Sequence, residues 1–176
     1  MTKPIVRILP LLRILGIDPG SRVTGYGVIE IKSGNLVHLD HGCIRMPNGT
    51  MGARLLKLSI ALEKVIQRVA PTEVAIEKVF VGANAESALK LGHARGVAIL
   101  TASKYGLSIS EYSPNQIKKT VVGRGHADKN QMKFMTRILL NLPRSPASDA
   151  ADALAAAICH CNTGSFNSKL VKASGK

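Results

Sequence analysis

Acidic residues are scarce in this chain of 176 residues: 11 Asp and Glu stand against 24 Lys and Arg, a formal charge of +13. A surface so short of negative charge suits a polyanionic partner, and nucleic acid is the first expectation. Cysteine is scarce as well, and odd in number. Cys43, Cys159 and Cys161 exclude a disulfide framework. Cys159-His160-Cys161 invites a zinc site, but neighbours one and two apart on a helix point in different directions, and no fourth ligand stands at a familiar spacing. No apolar run approaches the roughly 18–20 residues of a membrane span. The short apolar stretch after Lys3 and Arg7 is interrupted by Pro10 and Arg13 and lacks a small-residue cleavage site, so it reads as an N-terminal extension (1–12), not a signal peptide. The chain is accordingly expected in the cytoplasm, away from membranes. Internal repeats are missing too. What remains, 45% hydrophobic and 20% charged, is the composition of one globular domain.

Within that domain, Ile14-Leu15-Gly16-Ile17 is a strand pattern that stops at Asp18, with Pro19-Gly20 following at once as a turn. A carboxylate ending a strand buried on both faces is costly unless a cation meets it. Gly25–Ile31 and Asn35–Ile44 read as two further strands joined by the turn Lys32-Ser33-Gly34-Asn35, giving an antiparallel meander. Thr50 caps an amphipathic helix whose apolar positions run from Met51 to Val69 at helical spacing. Glu73–Glu77 is then a short strand, and strand–helix–strand alternation sets it parallel to the first. Asp18 and Glu77 thus end neighbouring buried strands.

A helix capped by Asn84 runs to about Tyr105, with Ala88, Gly92 and Gly96 forming a ridge of small residues that packs on the sheet or on a second subunit. Leu107–Tyr112 is a fifth strand. Ser113-Pro114 opens a helix to about Val121, Gly123-Arg124-Gly125-His126 is a basic loop, and Asp128 caps a helix to Leu142. Ser148 caps a last helix from Asp149 to about His160, and 162–176 reads as a basic flexible tail. Asp149 and Asp152, at i and i+3, share one face of that helix's first turn. Positive charge is clustered: Lys118, Lys119, Arg124, Lys129, Lys133 and Arg137 fall within twenty residues that hold one acid.

Asp18, Glu77, Asp149 and Asp152 therefore occupy special places. Clustered carboxylates repel unless they share a hard divalent cation, and oxygen-only ligation favours magnesium or manganese. In so basic a protein the natural substrate is a phosphodiester, cut by in-line displacement with the help of two metal ions. Lys118, Lys119, Arg124 and Lys129 suit a phosphate track. Phe80, one of three phenylalanines and three residues past Glu77, suits stacking on a base.

The segments ILGIDPGSRVTGYGVIE, AIEKVFVGANAESALKLGHARGVAI, KKTVVGRGHADK and SDAADALAAAICH resemble successive blocks of the RuvC-type Holliday-junction resolvases, the crossover junction endodeoxyribonuclease family. The resemblance runs from about Ile14 to His160 within a nuclease domain of 13–161. It implies an α/β, ribonuclease H-like (retroviral integrase-like) fold, a five-stranded mixed sheet flanked by helices. It also implies a homodimer that nicks two strands of a four-way junction symmetrically in recombination and repair, with two Mg2+ per site (Mn2+ substituting), after branch migration by RuvA and RuvB. Carried over by motif, the catalytic and metal-holding acids are Asp18, Glu77, Asp149 and Asp152; Phe80 stacks near the crossover, and Lys118 and Lys129 lie near the active site. The extension 1–12 departs from the family pattern. An actin-like ATPase or sugar kinase shares the Asp-x-Gly-Ser turn but needs a second lobe for which there is no room. A Holliday-junction nuclease of another dimer mode is nearer. A non-catalytic DNA binder accounts for the charge but not for four convergent acids.

Overall fold

Side-chain alternation along the first strand settles which residues meet which layer. In the computed structural model, which describes residues 12–78 and 85–174, β1 (Leu12–Asp18) sends Leu15 and Ile17 to one face of a sheet and Ile14, Gly16 and Asp18 to the other. β1 pairs antiparallel with β2 (Val23–Lys32), which pairs antiparallel with β3 (Asn35–Arg45). On its other side β1 pairs in parallel with β4 (Glu73–Glu77), and β4 in parallel with β5 (Ser108–Tyr112). The sheet order is β3-β2-β1-β4-β5. It is the five-stranded mixed sheet of a ribonuclease H-like fold.

One face carries α1 (Met51–Val69) and α2 (Ala85–Lys104), closing a core of Leu15, Ile17, Val28, Val74 and Ile76 with Leu58, Leu62 and Ile66 of α1 and Ala94, Ala98 and Ala102 of α2. The other carries α3 (Pro114–Val122), α4 (Lys129–Leu139) and α5 (Ser148–Ser174), packed through Ile117, Met132, Leu154 and Ile158 against Ile14, Ile29 and Ala75. Caps define the ends as their chemistry directs. The Thr50 hydroxyl accepts from Ala53 N, and Ser113 and Asp128 each form a capping box with a glutamine three residues on.

The ends of α4 and α5 differ from the sequence reading. α4 stops at Leu139, short of Leu142, because Asn141 turns into the left-handed region at φ 49°. Ser148 is the first helical residue of α5, not a cap before it. The same helix continues to Ser174, so the segment read as a flexible tail is helical almost throughout; Gly164 is the only strong helix-weakening residue on the way. The small-residue ridge of α2 turns away from the sheet: a methyl at Gly92 or Gly96 would meet nothing within 4 Å, and Leu89 and Leu100 beside it are 64% and 63% exposed. The Asn84 cap lies outside the described residues.

Candidate active site

Registration brings the strand-ending acids together. Gly16 pairs with Ala75 and Ile17 with Ile76, so Asp18 and Glu77 come next on adjacent parallel strands, and alternation turns both toward the α5 face. α5 supplies the other two. Its first turn carries Asp149, and Asp152 follows one turn on the same side.

Glycine sets how closely α5 approaches. Gly25 and Gly27 of β2 stand across from Asp18 and Gly16 of β1. A methyl on Gly16 would fall on the Ala153 carbonyl, one on Gly25 on the Asp149 carbonyl, and one on Gly27 within 2.5 Å of Leu154 Cγ. Three bare backbone patches thus let the helix rest directly on the strands. The alanines of α5 (Ala150, Ala151, Ala153, Ala155, Ala156 and Ala157), all buried, permit the same approach from above. Strand glycines carry no periodic signature of that role, and sequence reasoning passed over them.

Asp18, Glu77, Asp149 and Asp152 line one pocket of about 320 Å³, together with Lys118 of α3, Lys129 of α4 and an apolar wall of Pro114, Ile117 and Met132. Burial is the first cause of the shifts in this pocket. It pushes the Asp18 carboxyl up from its ordinary 3.8 to about 8, with Glu77, Asp152 and Asp149 adding repulsion and Lys129 opposing. It pushes Glu77 up from 4.5 to about 7, reinforced by Asp152 and opposed by Lys118 and Lys129. Asp152 is raised as well, by burial and Asp149 against Lys129, Lys118 and Lys133. These acids are crowded, desolvated and short of cations, the state that a shared hard metal ion relieves. Among the described residues no three His, Cys, Asp or Glu are already grouped around a single ion's position. The four acids form an open, oxygen-only wall, which fits a magnesium-type ion that keeps several waters and bridges to substrate.

Of the other expected residues, Lys118 and Lys129 join the acids. Lys119 stands exposed on α3, and Arg124 lines a separate groove with Val122, Gln131, Phe134 and Met135. Phe80 lies outside the described residues. Lys133, which the sequence reading counted only as part of the basic run, acts electrostatically on Asp152. Its i+4 spacing from Lys129 was the available signal.

The profile of the family "Crossover junction endodeoxyribonuclease RuvC" matches residues 14–160. The chain is 49% identical over 153 residues to the enzyme of that name from Hahella chejuensis, covering 87% of this chain and 89% of that one. It is 51% identical over 150 residues to the one from Shewanella frigidimarina, covering 85% and 87%. Among solved structures, Thermus thermophilus RuvC in complex with a Holliday junction substrate superposes with a TM-score of 0.83 at 31% identity, over 89% of this chain and 96% of that one.

Proposed function

This chain belongs to the crossover junction endodeoxyribonuclease RuvC family, and from that membership we propose that it resolves four-way DNA junctions by paired, symmetric phosphodiester hydrolysis in recombination and repair. The observation that carries the reading is the meeting of Asp18, Glu77, Asp149 and Asp152 in one pocket rimmed by Lys118 and Lys129. In this reading the four carboxylates hold the metal, Mg2+ with Mn2+ able to substitute, two ions per site. Bound there, the ions supply the charge that activates water for in-line attack and stabilises the leaving oxygen. The residues of the chain do the rest. Lys118 and Lys129 hold the scissile phosphate against the acids and offset the repulsion between it and them. The wall of Pro114, Ile117 and Met132 keeps part of the pocket dry, which strengthens each of those interactions. Lys119 and Arg124 extend the phosphate track, and Phe80 stacks on a base near the crossover.

A junction has two equivalent strands to cut, and a two-fold homodimer presents two copies of the site to match. The exposed stripe of Leu89, Gly92, Gly96 and Leu100 on α2 supports such a dimer. RuvA and RuvB move the branch point before cutting, in the cytoplasm where the DNA lies. No helix among the described residues is long and apolar enough to cross a membrane.

The test is a labelled four-way junction incubated with the protein with and without Mg2+. Paired nicks at symmetric positions in two opposing strands, only with the metal, are expected. Scattered single nicks, or tight junction binding with no cutting, would overturn the reading. Affinity should also fall steeply with salt, and Lys118→Ala or Lys129→Ala should each make the slope of log K against log salt shallower by about one. An unchanged slope would remove that lysine from the phosphate contacts.

A further inference from the structure

A second cationic pocket opens at the same end of the sheet, toward β3. It has a volume of about 380 Å³ and is lined by Arg22, Arg45 and Arg54 with Met46, Asn48 and Gly49, and no acid lines it. These arginines come from three places. Arg22 follows the Asp18 turn, Arg45 ends β3, and Arg54 lies in the first turn of α1. Arg54 donates from Nη2 to the Ser21 carbonyl, which fixes the turn carrying Arg22. Three arginines elsewhere in the fold are neutralised: Arg13 meets Glu30, Arg68 meets Asp40 and Arg95 meets Glu111. Among the described residues Arg22, Arg45 and Arg54 have no such partner, and Arg22 and Arg45 are exposed. The N-terminus of α1, with no acid in its first turn, adds its partial positive charge to the same mouth.

The register gives the position. Asp18 pairs with Gly25 and Gly25 with Cys43, while Arg45 pairs with Val23 two residues further along. At about 3.4 Å per residue and about 4.8 Å per strand, Arg45 stands on the order of 12 Å from Asp18 along the sheet end. That is roughly three to four nucleotides of a strand at 3.4 Å each. Lys118 and Lys129 line the pocket of the acids itself. The strand ends therefore carry two cationic stations, the lysines at the acids and the arginines on the order of 12 Å away.

Building on the junction-resolving reading, we infer that the Arg22–Arg45–Arg54 pocket is a second phosphate site, which grips the strand being cut a few nucleotides to one side of the scissile phosphate. Arginine suits the task, because its planar fork takes two phosphate oxygens at once. Held at Lys118 and Lys129 and again a few nucleotides away, the strand lies straight over the carboxylates; with Lys118 and Lys129 alone it could pivot.

The test measures junction affinity against salt, without divalent metal, for the wild type, Arg22→Gln/Arg45→Gln, Lys118→Gln/Lys129→Gln, and a control, Lys57→Gln/Lys64→Gln, on the exposed face of α1. Arg54 is left intact because it holds the turn. The arginine pair should make the salt slope shallower by about two, as the Lys118/Lys129 pair does, and the control should change it little. A junction carrying neutral methylphosphonates three and four nucleotides from the scissile phosphate should then bind the wild type less tightly on one side only. The arginine variant should not notice that substitution. An arginine pair that behaves like the control, or methylphosphonate effects that simply add to those of the variant, would overturn the second site while the Lys118/Lys129 result leaves the junction reading standing. If neither pair changes the slope, the reading itself fails.

Discussion

Asp18→Asn is expected to abolish cleavage and, in the absence of metal, to make the protein more stable. Loss of an acid proposed to hold the metal should lower the cleavage rate by about a thousandfold or more, the order lost when a main charge-stabilising group is removed. Junction binding should survive, since in the proposed reading affinity comes from the lysines and arginines around the pocket. The stability gain follows from the direction of the shift. The folded protein holds the Asp18 proton up to about pH 8, whereas an ordinary aspartate releases it near 3.8. The unfolded chain therefore binds fewer protons between those values, and stability falls as pH rises through that window. At pH 8 most of the penalty is present. An amide has no charge to desolvate or repel, so the penalty disappears. Allowing for the solvent that enters an open pocket, a relief of ~1–2 kcal/mol corresponds to a Tm higher by about 3–6 °C. Adding Mg2+ should raise the melting temperature of the wild type and raise that of the variant much less. Substantial cutting by the variant would remove Asp18 from the mechanism. A lower melting temperature without metal would contradict the account of crowded carboxylates.

Gly25→Ala should damage the site without touching an acid. Its methyl group would occupy the position of the Asp149 carbonyl, so the start of α5 must lift from β2. Overpacking of this kind costs about 1–3 kcal/mol. The catalytic cost should be larger: a displacement near 1 Å in a positioned group can lower a rate by about a hundredfold. Gly52→Ala is the matched control. Gly52 lies within α1 and a methyl there meets nothing, so helix propensity alone should make that variant as stable as the wild type or slightly more so. Thermal melts and single-turnover cleavage on the two variants decide the matter. Full activity in Gly25→Ala would mean that the close seat of the helix does not position Asp149.

The acids were legible because each ends or begins a pattern. Ile14–Ile17 and Val74–Ile76 are apolar runs stopped by one acid apiece, and parallel pairing follows from the helix between them. The strand ends at Asp18 and Glu77 needed only the alternation of side chains to face the same way. Lys118 and Lys129 were legible through a local excess of charge. The arginine pocket was not, because Arg22, Arg45 and Arg54 are spread over more than thirty residues and meet only through the β2–β3 register and the start of α1. The glycine seat was hidden for a related reason. A strand glycine reads as weak strand propensity, and only a helix lying on it reveals a need for bare backbone. The end of α5 was not legible, because polar composition past His160 does not by itself interrupt a helix.

The glycine seat also bears on where this chain tolerates changes in length. α5 carries two of the four acids at one end and the buried residues Leu154 and Ile158 further along, with no turn between them. A single residue inserted between Asp152 and Leu154 would rotate the acids by about 100° relative to the face that rests on the strands, and advance them by about 1.5 Å. Core and chemistry cannot both keep their places after such a step. The proline-marked connection from Pro143 to Ala147 lies outside the helix and absorbs added residues without turning anything. Natural insertions and deletions should therefore gather in that connection and be absent from the two turns that follow Asp149.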